Sequence, residues 1–157
     1  MTATGTDPPI HPALPKDASR CNAGLAKTAS LGGTAFLCCA STAPLEFVVR
    51  SASGDHNPIH IDIDFARSAG LDDVFAHGML SAAYLGRLVS DWAGQKRMRN
   101  LQVRFTGITH VHDAPLCTGK VVERFDEGGE TRLRVDLQCA NQKGEVKLTG
   151  QAVVAIH

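Results

Sequence analysis

The sequence predicts an α+β domain in which an antiparallel sheet wraps around one long central helix. The first sign is residues 77–92, HGMLSAAYLGRLVSDW, where Met79, Leu80, Ala82, Ala83, Tyr84, Leu85, Leu88, Val89 and Trp92 leave only a narrow polar stripe. Such a helix is expected to be surrounded on most sides. The second is the period-two pattern that follows: Leu101, Val103 and Phe105, then Leu133, Val135, Leu137 and Cys139, then Val146, Leu148, Gly150, Ala152, Val154 and Ile156. The third is a pair of turn signals, EGGE at 127–130 and NQKG at 141–144, which make consecutive strands antiparallel neighbours. One buried helix beside several long antiparallel strands is satisfied by a sheet curled around that helix.

Taken in order, residues 1–30 hold Pro8, Pro9, Pro12 and Pro15 among small and polar residues without a sustained period, the composition of a loose tail. Residues 31–157 are then read as a single domain, which suits a chain of 157 residues. An apolar run over residues 34–41, TAFLCCAS, is long enough for one strand. Ser41 or Thr42 followed by Pro44 starts a short helix over about 44–52, because proline suits the first helical turn. Residues 61–70 read as another short helix stopped by Gly70. A further strand over about 116–125 precedes the first hairpin turn.

Sixteen basic and sixteen acidic side chains cancel, and no block of like charge runs along the chain. This argues against a nucleic-acid arm and a polybasic membrane patch, and leaves a small molecule or a second copy as partner. A sheet with free edges favours a homodimer. Cys21, Cys38, Cys39, Cys117 and Cys139 lack both the spacing of a zinc site and the density of a disulfide scaffold, so they read as reduced. The apolar run LGGTAFLCCA at 31–40 is too short and too glycine-rich for a membrane span, so a cytoplasmic location is the default expectation.

The chemistry concentrates in SASGDHNPIHID, residues 51–62. Gly54 and Asn57-Pro58 shape a loop in which Asp55 and His60 can reach one water molecule together. With reference pKa values of about 3.9 and about 6.5, such a pair can hold and move a proton near neutral pH. The competing reading is structural: an Asp in this context closes an Asx turn, and a lone His is a hydrogen-bonded loop residue. His56 and His60 are four apart, but Pro58 argues against a shared helix face and no third ligand has suitable spacing, so no metal is expected. A second motif, AHGM at 76–79, sits where the central helix should begin, with its first N–H groups directed outward. Gly78 offers no side chain to block a carbonyl and can act as an oxyanion donor, or serve only for close helix packing.

Together SGDHNPIHID, GLDDVFAHGML and VRFTGITHV resemble the MaoC-like dehydratase and R-specific enoyl-CoA hydratase family over roughly residues 42–156. The resemblance implies a hotdog fold, a catalytic dyad of Asp55 and His60, a shaping role for Asn57, and a Gly78 N–H directed at a thioester carbonyl. Asn57, His77 and Met79 are the candidate substrate contacts, with Leu80 and Tyr84 as further candidates for the acyl path. The implied reaction interconverts trans-2-enoyl and (3R)-3-hydroxyacyl thioesters of CoA or acyl carrier protein, with no cofactor. Lys96, Arg97 and Arg99 could meet the carrier's phosphates or remain solvated. The sequence departs from the family where a usual proline–valine pair is replaced by His110-Val111. The alternative is a noncatalytic or heterodimer-dependent thioester-binding subunit. A thioesterase would more usually carry a carboxylate on the central helix, and there is none between Gly78 and Ser90.

Overall fold

The computed structural model describes residues 34–38 and 52–156. The expected tail over residues 1–30 and nearly all of the expected helix over 44–52 lie outside the described residues. The elements are β1 (Thr34–Cys38), a 3-10 turn (Pro58–His60), α1 (Ile63–Ser68), α2 (Gly78–Ala93), a second 3-10 turn (Gln95–Arg97), β2 (Met98–Phe105), β3 (Leu116–Glu127), β4 (Glu130–Ala140) and β5 (Val146–Ile156). The five strands form one antiparallel sheet in the order β1-β3-β4-β5-β2.

The β3–β4 hairpin turns on Gly128 and Gly129, at φ of 63° and 77°, the left-handed pair that a tight two-residue turn requires. The β4–β5 hairpin keeps register from Thr131 opposite Ile156 to Cys139 opposite Leu148. It then shifts, so that Ala140 faces Val146 and Lys147 is the extra residue of a bulge. The shift reverses the alternation expected there: Val146 is exposed and Lys147 is buried.

The core lies where α2 crosses the sheet. Leu85, Leu88 and Val89 of the helix meet Val121, Leu133, Val135, Leu137, Leu148, Ala152 and Val154, while Tyr84 and Trp92 pack at its margin. Leu80 is buried as well, so both Leu80 and Tyr84 belong to the packing rather than to an open acyl path. The helix is enclosed only on its sheet side. Met79, Ala83, Arg87 and Asp91, four residues apart, stay exposed in the single chain, which narrows the expected burial. Phe105 is also exposed, although Leu101 and Val103 of the same strand pack on the core, because β2 is an edge strand.

The helices begin and end on local signals. The Asp62 carboxylate accepts from the N–H groups of Asp64 and Phe65 at the start of α1, and Gly94 ends α2 at a φ of 87°. Between β2 and β3 the chain crosses over the start of α2. There Ala76 N–H donates to the Thr109 carbonyl at 2.9 Å, and His110 forms a β-bridge with Phe75. Cys117 and Cys139 are buried opposite each other on β3 and β4. No described helix is long and apolar enough to cross a membrane.

Candidate active site

The loop after Gly54 is held by its own short polar side chains. Asn57 N–H donates to Asp55 Oδ1 at 3.2 Å, and Ile59 N–H donates to Asn57 Oδ1 at 3.2 Å, capping the 3-10 turn that Pro58 opens. Asn57 therefore shapes the loop, and its oxygen is engaged within it. Asp55 closes the Asx turn through Oδ1, while Oδ2 faces the imidazoles of His60 and His77.

His60 is buried, and its Nδ1 lies 2.8 Å from the Phe75 carbonyl oxygen. A carbonyl only accepts, so Nδ1 carries a hydrogen, and the tautomer this leaves for a neutral ring has its lone pair at Nε2. That Nε2 is 4.0 Å from Asp55 Oδ2. A carboxylate and an imidazole lone pair are both acceptors and form no direct bond. A water molecule beside the pair, with one hydrogen for each acceptor, satisfies both. The ring is fixed further by an edge contact with Phe75, with centroids 4.7 Å apart.

His77, the residue before α2, is almost fully buried at 3% exposure. Its Nε2 lies 3.3 Å from the Asp55 carbonyl oxygen and 3.8 Å from Oδ2, and its ring stacks on His60 with centroids 3.8 Å apart. The sequence placed His77 among the candidate substrate contacts; the structure sets its ring against His60 and beside Asp55. The separation of 22 positions between Asp55 and His77 gives no sequence signal of this contact. Ligand atoms of Asp55, His60 and His77 lie within 4.8 Å of one another, whereas the His56–His60 pair considered from spacing is not the group formed. Tetrahedral metal binding at about 2.0–2.1 Å needs lone pairs converging on one point. His77 Nε2 donates its hydrogen to the Asp55 carbonyl and so presents no lone pair to such a point in this arrangement.

Gly78 is the first residue of α2, where the backbone N–H precedes the intrahelical bonding pattern. A Cβ at this position would sit 2.9 Å from the Phe105 ring, so the close approach of β2 explains the glycine. Met79, expected partly as core, is 65% exposed beside it. Phe105 was visible only as a strand residue, and the carbonyl of Phe75 has no side-chain signal at all. Ile61, Ile63 and Phe65, which follow His60 in the chain, are exposed apolar groups. Of the three cations after α2, Arg99 is engaged by Glu130, at 2.8 and 2.5 Å, and this hydrogen-bonded pairing holds the Glu130 carboxyl down at about 2. Lys96 and Arg97 are exposed.

Residues 48–137 match the family model described as MaoC like domain. The peroxisomal hydratase-dehydrogenase-epimerase of Neurospora crassa is 28% identical over 100 residues, 64% of this chain and 10% of that protein. The chain thus spans about a tenth of the length of that relative. Among solved structures, the unliganded R-hydratase PhaJ1 from Pseudomonas aeruginosa superposes with a TM-score of 0.72 at 25% identity, covering 80% of this chain and 81% of the other. A chain of the ChsH1-ChsH2 complex from Mycobacterium tuberculosis gives 0.70 at 20% identity, covering 83% and 100%. The helix-wrapping sheet is the hotdog fold expected from the motifs.

Proposed function

The chain belongs to the MaoC-like domain family, and on that premise we propose that it reversibly adds water to trans-2-enoyl thioesters of CoA or acyl carrier protein, giving (3R)-3-hydroxyacyl thioesters. The observation that carries this reading is the 4.0 Å separation of Asp55 Oδ2 and His60 Nε2, two acceptors facing each other with the His60 hydrogen committed to Phe75. A water molecule there is oriented by both groups. With the thioester carbonyl on the Gly78 N–H, negative charge that develops on its oxygen is stabilised as the water oxygen bonds to C3. The dyad accepts the proton released from that water and returns it to C2, so both residues finish as they began. Dehydration is the same path reversed. Met79 and Phe105, exposed beside Gly78, are the side chains we assign to the acyl entrance, with Asn57 and His77 shaping the site from the protein side.

Residues 31–157 are proposed to act as one domain, with 1–30 as a loose tail, and to assemble as a homodimer that covers the open edge of β2. The ChsH1-ChsH2 structure is a complex of two different proteins, which favours pairing with a second type of subunit as the alternative assembly. Loss of enoyl-thioester absorbance on crotonyl-CoA and on a longer enoyl-CoA, compared with the Asp55→Asn chain, tests the reaction. Absorbance loss that requires Asp55 supports the proposal. No turnover by the folded homomeric chain, restored by a second hotdog subunit, would favour the heterodimer.

A further inference from the structure

We infer that Asp113, 58 residues beyond Asp55 and outside every motif noted above, is a positioning residue for the dyad: its buried carboxylate fixes the loop against which Phe75 and Ala76 pair. The inference deepens the hydratase reading and rests on it for its kinetic part.

Asp113 is 6% exposed, so its carboxylate depends on protein partners. Oδ2 accepts the His110 N–H at 2.9 Å, and Oδ1 accepts from Asn141 Nδ2 at 3.1 Å. The buried Lys147 ammonium, put inside by the β5 bulge, lies 3.9 Å from Oδ2 and bonds Glu145 at 2.8 Å. The same carboxylate closes a turn in which Asp113 N–H donates back to the His110 carbonyl at 3.1 Å. Within that turn His112 has a φ of 66°, a left-handed conformation unfavourable for a non-glycine residue and retained only where neighbours enforce it.

What this loop then presents is the link to the site. Thr109 offers its carbonyl to Ala76 N–H at 2.9 Å and its hydroxyl to Ser81 on α2 at 3.2 Å, while His110 bridges Phe75. Phe75 supplies the carbonyl that holds the His60 Nδ1 hydrogen at 2.8 Å, and three residues later comes the Gly78 N–H. The acid/base ring and the oxyanion donor therefore hang from one short segment, and the Asp113 loop is what that segment pairs with. A shift of that segment misaims both groups together, and misplacement by about 1 Å can cost about a hundredfold in rate.

Asp113→Asn is the informative variant because it is isosteric. The carboxylate accepts on both oxygens, from His110 and from Asn141; an amide accepts on one and sets a donor against a donor at the other. In the full-length chain we expect kcat for crotonyl-CoA hydration to fall about tenfold or more with KM held within about twofold, the signature of misaligned groups rather than lost binding. A second readout needs no substrate: the His60 Nδ1–H resonance in a nitrogen-15 histidine spectrum, sharp in the parent, should broaden or lose its single tautomer. A purely structural Asp113 would lower Tm while leaving kcat and the His60 resonance unchanged, and that result overturns the inference. If the asparagine chain does not fold, Asn141→Ala, which removes one donor to the same carboxylate, replaces it with the same two outcomes. A parent chain without turnover, alone or with a second hotdog subunit, whose His60 resonance responds to Asp113→Asn would overturn the hydratase reading and leave the positioning role standing.

Discussion

Two polar clusters, each built around an aspartate, divide the molecule's buried chemistry. At Asp113 each carboxylate oxygen accepts a hydrogen bond, 2.9 Å from His110 N–H and 3.1 Å from Asn141, while Lys147, 3.9 Å away, bonds Glu145 at 2.8 Å. At Asp55 the imidazole nitrogens stand 3.8 and 4.0 Å from Oδ2, on a carboxylate that is half exposed. The first cluster is closed and complementary, donor against acceptor. The second leaves Oδ2 and His60 Nε2 without a direct hydrogen bond, while His77 Nε2 donates to the Asp55 backbone carbonyl instead. Spacing and complementarity, more than residue type, separate the group that holds the fold from the group proposed to do the reaction.

The comparison can be broken by exchanging its consequences. His60→Ala should reduce turnover by about 10²–10⁴-fold, the usual range for a positioned proton-transfer group, while its folded far-ultraviolet spectrum persists. Near-parental rates would remove His60 from the dyad. Lys147→Met should act in the other currency: removing one partner of a buried ion pair costs about 3–5 kcal/mol, read as a lower urea midpoint. If it left stability untouched, the Asp113 cluster would not be the structural member of the pair. Gly78→Ala presses a methyl group 2.9 Å from the half-exposed Phe105 ring, which can swing away. We expect a kcat loss of about tenfold from the displaced donor, less than the roughly 10²–10³-fold cost of deleting an oxyanion donor outright.

The smallest effect concerns acid. Glu130 is held at about 2, below its ordinary 4.5, by hydrogen bonding to Arg99. A depressed carboxylate stabilises the fold above its unfolded value and loses that contribution as pH falls through the folded one. The stability gap between parent and Glu130→Gln should thus be present at pH 7 and shrink between about 4.5 and 2. A gap unchanged across that window would show that the surface pair contributes nothing, as many exposed pairs do.

Much of the fold was legible because its signals are local. Leu133, Val135, Leu137 and Cys139 alternate on β4, all buried, and the EGGE turn joins β3 to β4 where the glycines require it. The helix expected over 77–92 is observed one residue later, as Gly78–Ala93. The short helix expected over 61–70 contracts to Ile63–Ser68, since Pro58–His60 forms its own 3-10 turn and Asp62 becomes the cap. Less visible was anything decided across the chain: β2 lies beside β5 and not β3, and the bulge at Lys147 turns a lysine inward and Val146 outward. In the candidate site, the loop that carries Asp55, Asn57 and His60 and the helix start at Gly78 were legible as local motifs. His77 behind Asp55, the Phe75 carbonyl under His60, and the Asp113 loop behind Phe75 depend on contacts that sequence spacing does not encode.

The most direct test is hydration of crotonyl-CoA by the full-length chain and by Asp55→Asn, followed as loss of the conjugated enoyl-thioester absorbance. Asp55→Asn keeps an oxygen for the Asn57 N–H and removes the charge facing the two imidazoles. We predict turnover by the parent chain and a loss of about 10²-fold or more in a variant with unchanged Tm. Equal rates in the two chains would contradict the assignment of the Asp55–His60 gap as the place where water is activated.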